Sequence, residues 1–359
     1  MNIKYNLKNN KFKKKSKEIL ISCEICSSKK YFVLQEVGRI GSPGEYGFLK
    51  TVICKKCSFK FLNPRYVDKF YTKYYKKNYR KIAFGSYVPS KYYVETQKKR
   101  GLGVLNFFKN KIKKGSMLDH GCASGATMLP WLKSGWECYG IDPHVPSVKY
   151  GRYKYKLNIK IAFGEQLPFK DSLFDTILSL GSLEHAYDLS KTMLEIKRTL
   201  KNNGNLIIRW RSNKIIGSPL EYYNHNHNRF FTRLTLKALL NKYGFKVLDF
   251  VEKPLEGYNS YQYILAKKIN KNFNIKYVLK KLNLKKQVKK EIDNYQKVLK
   301  KYTSIVLDIK KLNLFDDFKK KDRLIYIEKN NVKLLGIKKK DAISRYFYEI
   351  KKYYEILKK

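Results

Sequence analysis

A doubly wound α/β sheet, preceded by a small β-rich cysteine module and followed by a mainly helical extension, is the fold class this chain predicts. Three observations carry it. Strand-like apolar runs alternate with helical patterns from about residue 116 to residue 266. Two CxxC pairs, Cys23/Cys26 and Cys54/Cys57, sit among short β-like segments ahead of that stretch. After about residue 270 the composition changes: Gly336 is the only glycine, proline is absent, and Lys-rich helical runs dominate. The division that follows is 1–80, 81–270 and 271–359.

In chain order, residues 1–18 are Lys/Asn-rich without an apolar period and are expected to fray. From "ILISCEIC" to "TVICKKCSFKFLNPRY", short strands surround a Gly/Pro-rich turn, "GRIGSPGEYG". "KYYVETQKKRGLGVLNFF" reads as a helix. Strands are then expected at "SMLDHG", "ECYGID", "NIKIAF", "FDTILSL", "NLIIRW", "FKVLDF" and "YQYILA", with helices such as "LSKTMLEIKRTL" and "RLTLKALLNKY" between most of them. A sheet of this kind takes its ligand at the C-terminal ends of its strands. The Tyr/Phe/Ile stripe of the last segment, "ISRYFYEIKKYYEILKK", reads first as core packing and second as a membrane- or partner-facing surface.

The formal charge is 78 − 29 = +49. Such a value ordinarily points to nucleic acid or an anionic membrane. Here the lysines run along the whole chain among abundant Asn, Ile and Tyr, the pattern of a low-GC coding sequence, so composition bias is the first reading. No run approaches the roughly 20 apolar residues of a membrane span, and the basic N-terminus lacks a signal-length apolar segment. A cytoplasmic location is expected, with peripheral contact at the inner face of the membrane through the basic C-terminal region as the variant.

Two CxxC knuckles place four thiolates at the corners of a tetrahedron and leave no position for water, so Cys23, Cys26, Cys54 and Cys57 are expected to hold a structural Zn²⁺. The intervening stretch is longer than the usual spacing, which costs little because loop-closure entropy grows slowly. Lys29, Lys30, Lys55 and Lys56 flank the knuckles, where they either offset the thiolate charge or are simply solvated.

"SMLDHGCASGATML" runs from a strand through an acid and a series of tiny residues into a helix. It departs from the Gly-x-Gly-x-x-Gly phosphate fingerprint, because Ala123 takes the middle position and Asp119 brings a negative charge to the same place. A carboxylate there suits an ammonium or sulfonium ligand. About 20 residues on, Asp142 in "YGIDPH" ends the next strand, where an acid can accept bonds from ribose hydroxyls.

With "LDHGCASG", "GID", "EQLPFKDSLFDTI", "LEH" and "LKNNGNLII" in this order, residues 116–266 resemble a class I S-adenosylmethionine-dependent methyltransferase. The resemblance implies a seven-stranded Rossmann-like sheet. It also implies a cofactor-facing set of Asp119, Gly121, Cys122, Ala123, Gly125, Asp142, Pro143, Phe163, Glu165 and Leu180. Two departures stand out. Ala123 replaces the central glycine of LDxGCGxG, and Ala162-Phe163 replaces the usual Gly-Asp, which leaves Glu165 and backbone amides for the adenine amine and Phe163 to stack on the base.

The front stretch, "CEIC…CKKC…FLNPRY…FYTKYYKKNYRK", is similar to the zinc-binding front domain of methyltransferases acting on nucleotide-linked sugars and surface-polysaccharide intermediates. "YYNHNHNRFFT" aligns with the Tyr-His-Glu-His stretch of sugar C-methyltransferases, His227 matching its final His, with Asn224 and Asn226 in place of Tyr and Glu. Enolate chemistry therefore fits poorly, and transfer to a hydroxyl, which needs one base, is expected. His227 and His185 are the candidate bases; each could instead serve as a hydrogen-bonding support. Trp210, Arg211 and Asn213 are candidates for the acceptor pocket. The expected acceptor is a sugar nucleotide or glycan intermediate; a sugar carbon, or RNA gripped by the basic surface, is the alternative.

Overall fold

The computed structural model describes residues 18–40, 46–84, 86–211, 227–252, 255, 261–269, 273–294 and 296. The N-terminal start, Asn213, Asn224, Asn226 and the final Lys-rich segment lie outside the described residues. The front module consists of β1 (Glu18–Ile19), β2 (Tyr31–Ile40), β3 (Tyr46–Cys54), β4 (Lys60–Leu62) and β5 (Arg65–Tyr66). Its β2 and β3 are longer than the short pieces the sequence suggested. A helical segment follows, α1 (Asp68–Lys73) and α2 (Tyr79–Phe84), joined by a π-helical turn at Tyr74–Asn78. The expected helix before the main sheet is α3 (Lys91–Phe108), with Ser90 Oγ capping its N-terminus by accepting from the Tyr93 amide.

The main sheet begins with β6 (Ser116–His120), α4 (Leu129–Lys133), β7 (Glu137–Ile141), α5 (Val145–Tyr155) and the two-residue β8 (Ile159–Lys160). It continues with β9 (Phe174–Leu180), α6 (Leu189–Thr199) and β10 (Leu200–Arg211). After the short β11 (Arg229–Phe230) come α7 (Arg233–Lys242), β12 (Phe245–Val251), β13 (Tyr261–Lys268) and α8 (Ile275–Lys281). Strand order is β12-β13-β10-β9-β6-β7-β8, with β13 antiparallel to both neighbours and the other described pairings parallel. The order reverses between β6 and β9. That switch point opens a crevice at the strand C-termini, which is where this architecture binds ligands.

Alternation along the strands divides the core. Met117, Leu178, Ile207 and Leu265 pack toward α3, α4 and α5, whereas Leu118, Ile177, Leu206, Ile208 and Ile264 pack toward α6, α7 and α8. On α6 the positions Leu189, Met193 and Ile196 make one apolar stripe, fully buried, and the Asp188 carboxylate caps the helix by accepting from the Lys191 amide. The knuckle residues Cys23, Ile25 and Cys57 and the neighbouring Phe59 and Phe61 belong to this second core layer.

β11, from the later part of the 81–270 region, pairs with β4 and completes a front sheet of order β11-β4-β3-β2. Among the described residues no helix is long and apolar enough to cross a membrane.

Candidate active site and metal centre

The sequence from Asp119 to Gly125 turns tightly because its backbone is left-handed at three points: Gly121 (φ +82°), Ala123 (φ +53°) and Gly125 (φ +73°). Gly121 is required twice over, since an added Cβ would also come within 2.6 Å of Ser182 Cβ. Ala123 occupies its conformation at a cost of about 1–2 kcal/mol for an L-residue. Its amide, so turned, donates to Asp142 Oδ2 at 2.7 Å. Asp142 Oδ1 accepts from the His144 amide at 2.8 Å, so the carboxylate at the end of β7 is fixed from two sides. Burial raises its pKa, while the His144 amide, Arg80, the Ala123 amide and His185 pull it back.

Asp119, 2 % exposed at the end of β6, has no hydrogen-bond partner for Oδ2. Burial pushes its carboxyl up to about 7, Arg100 opposing and Asp142 adding to the rise. A buried, unsatisfied acid beside a glycine turn is suited to accept hydrogen bonds from a cationic group. Cys122 is buried with its Sγ turned to the Ala123 carbonyl, and Leu180 ends β9 half-buried. Pro143 and Phe163 are likewise half-buried, and Lys76 Nζ lies 5.9 Å from the Phe163 ring centroid. Glu165 has a structural role: Oε1 accepts from the Tyr187 and Asp188 amides at 2.7 and 3.0 Å, which fixes the entry to α6.

The two candidate bases come together. His185, in the turn after β9, and His227, just before β11, have ring centroids 4.8 Å apart. Tyr75 OH is 3.2 Å from His185 Nδ1. Tyr75 and Tyr79 both pack their rings against His185. Burial raises the pKa of both tyrosines, which keeps each hydroxyl protonated. Tyr71 OH donates to Asn228 Oδ1 at 2.7 Å, next to His227. The tyrosines recur four residues apart on one face of α1–α2, and the π turn lies between them, a deviation frequent at functional sites. This tyrosine face was missed in the sequence, although "FYTKYYKKNYRK" carries its spacing. Of the acceptor-pocket candidates, Trp210 is instead buried in the α7 core layer, and Arg211 Nη2 is 3.4 Å from Tyr261 OH.

Another residue passed over is His120. Its Nδ1 lies 2.9 Å from Ser182 Oγ, and burial lowers its pKa to about 4, so the ring is neutral.

At the front, the Sγ atoms of Cys23, Cys26, Cys54 and Cys57 all lie within 4.8 Å of one another, with Cys23–Cys57 at 3.4 Å and Cys26–Cys54 at 3.5 Å. Tetrahedral thiolate zinc requires S···S separations of about 3.8 Å. The two knuckles share one backbone form. Ser27 and Ser58, each just after the second cysteine, both have φ +58°, and their amides donate to the Cys23 and Cys54 carbonyls. Hydrogen bonding within the cluster, Cys26 on Cys23 and Cys23 on Cys57 foremost, pushes the Cys23 and Cys57 thiols up and the Cys26 and Cys54 thiols down. A bound dication removes that conflict by letting all four ionise. The donor set fits a tetrahedral metal ion.

Residues 118–208 match the family described as "Methyltransferase domain". The chain is 30% identical over 102 residues to the ubiquinone biosynthesis O-methyltransferase of Pelagibacter ubique, covering 27% of this chain and 42% of that protein. It is 32% identical over 140 residues to the tRNA U34 carboxymethyltransferase of Campylobacter fetus, covering 36% of this chain and 49% of that one. A solved structure of a SAM-dependent methyltransferase from Methanosarcina mazei is 19% identical, covers 46% of this chain and 98% of its own, and has a TM-score of 0.40. The chain thus spans less than half the length of these curated relatives. Strand order, glycine turn and paired acids agree with the family match: residues 118–208 are a methyltransferase domain of the class I, S-adenosylmethionine-dependent type.

Proposed function

We propose that this chain transfers a methyl group from S-adenosylmethionine to a hydroxyl oxygen of a sugar-nucleotide or surface-glycan intermediate, with His227 as the base and a structural Zn²⁺ on the four cysteines. The observation that carries the reading is the pair of imidazoles, 4.8 Å apart beside the tyrosine face, on the side of the sheet that bears Asp119 and Asp142. The bound cofactor supplies a methyl group on a sulfonium. Asp119 receives the ammonium of its methionine end. Asp142 keeps lone pairs for the ribose hydroxyls beyond those given to the Ala123 and His144 amides. Tyr75 and Tyr79 exclude water from the histidines. In-line displacement needs alignment and the removal of one hydroxyl proton, a task suited to an imidazole.

The acceptor class rests on the likeness of the cysteine module and tyrosine segment to the front domain of sugar-directed methyltransferases. RNA is the second reading, favoured by the +49 charge and by the tRNA-directed relative. Incubation with labelled S-adenosylmethionine, a panel of sugar nucleotides and, in parallel, total RNA decides between them by which acquires label. Label in RNA alone refutes the sugar assignment.

A further inference from the structure

Glu24 lies between the ligands of the first cysteine knuckle, yet its side chain is engaged with the methyltransferase domain. Arg229, whose side chain is fully buried, grips it in a fork: Nε to Oε2 at 2.7 Å and Nη2 to Oε1 at 2.5 Å. Arg65 Nη1 reaches Oε1 at 3.4 Å, and the Leu189 amide does so at the same distance. Lys242 Nζ donates to the Glu24 carbonyl at 2.8 Å. From its other side, Arg229 donates to the carbonyls of Ala186 and Tyr187, immediately after His185.

The knuckle therefore touches both histidine-bearing segments through one guanidinium. Backbone pairing adds to this. Arg229 and Phe230 pair with Phe61 and Lys60, and the Leu62 amide donates to the Asn228 carbonyl at 3.0 Å. The Asn228 amide donates in turn to the Glu184 carbonyl at 3.0 Å.

We propose that Glu24 and Arg229 form a positioning latch, by which the cysteine knuckle sets the placement of His227 against His185 without taking part in cofactor binding. The proposal rests on the reading of those histidines as the acceptor-side site. A buried ion pair is poor at adding stability and well suited to fixing one geometry. Here the geometry fixed is that of the turn after β9, an interior strand of the main sheet, and of the segment that enters β11. Rotation of the knuckle would move the Arg229 fork, and with it the residue two positions away.

The test uses the full chain and Glu24→Gln, which keeps the shape and removes the charge. Four readouts are taken: metal content, S-adenosylmethionine affinity by calorimetry, amide exchange by segment, and the histidine ring resonances. The expected result is unchanged zinc content and affinity within about twofold, with exchange at 228–230 faster by about tenfold or more and that of Ser116–His120 unchanged. The ring-current displacements of the His185 and His227 protons, produced by each other and by Tyr75 and Tyr79, should collapse together. A purely structural loss would leave that signature intact or speed exchange in both segments equally. Either outcome, or unchanged exchange at 228–230, overturns the latch. If Glu24→Gln does not fold, Glu24→Asp, which shortens the reach, is read by the same criteria. Failure of the wild-type chain to bind S-adenosylmethionine would overturn the methyltransferase reading, while the exchange and ring-resonance results would still decide the latch.

Discussion

If Asp119 receives the ammonium of S-adenosylmethionine as proposed, lowering the pH should weaken binding of that cofactor through this carboxyl. The buried group sits at about 7 against an ordinary 3.8. Between those values the folded chain keeps the proton and the unfolded chain has lost it, so this group destabilises the fold as pH rises through the window. The full difference is on the order of 4 kcal/mol. An ammonium placed against Oδ2 restores the ionised form, so binding releases a proton wherever the free protein is protonated. With the folded value at about 7 and the ammonium-paired carboxylate ionised across the range, affinity should fall about eightfold at pH 6.0 and about twenty-five-fold at pH 5.5 relative to pH 7.5. Calorimetry in buffers of different ionisation heat reads both the affinity and the proton. Asp119→Asn should flatten the profile. So should 5′-methylthioadenosine, which keeps the ribose and lacks the amino-acid end, apart from any slope due to Asp142. A wild-type profile that is flat from pH 5.5 to 7.5 in folded protein would refute the assignment of Asp119 to the ammonium.

Asp142→Ala should weaken S-adenosylmethionine binding by about 1.5–3 kcal/mol, the scale of hydrogen bonds to a charged group, and wild-type affinity by calorimetry would remove it from the site. His227→Ala should lower kcat by about 10²–10⁴ with cofactor affinity within about twofold, and His185→Ala should cost less; single-turnover rates in both variants check this. Ala123→Gly should raise stability by about 0.5–1 kcal/mol, relief of the left-handed strain exceeding the extra unfolded-state entropy of glycine, as measured by urea midpoint. Protein purified without added metal should contain about one zinc per chain, and chelation should expose the front module before the main sheet melts; elemental analysis and segment-resolved exchange read the two effects.

The main sheet was legible because its strands are short apolar runs closed by residues with one physical purpose each, as with Asp119 before the glycine turn and Asp142 at the end of β7. The paired CxxC spacing likewise announced a four-thiol cluster, and the knuckles close around it as expected. What stayed hidden depends on contacts distant in the chain. Nothing local in "CEIC" says that Glu24 meets Arg229, and nothing in "NHNRFF" says that two of its residues complete a sheet begun in the front module. His185 and His227 are both candidate bases in the sequence, but 42 residues separate them and nothing in that spacing says that their rings lie 4.8 Å apart. Glu165 adds a role that its motif position did not announce: Oε1 clamps the start of α6.

The strand pairing between β4 and β11 also bears on how the chain is made. Arg229 meets Phe61 across 229 − 61 = 168 residues of sequence. At roughly 5–20 residues per second of synthesis, β4 waits about 10–30 s on the ribosome for its neighbour. During that interval the cysteine module presents an open strand edge, next to Phe59 and Phe61 that are buried only once the later elements arrive. Exposed edges of this kind recruit other chains. A fragment ending before residue 229 would carry that edge permanently. Overproduction of the front module alone should therefore yield aggregates, whereas fragments extended past β13, which also covers the β10 edge of the main sheet, should remain in solution.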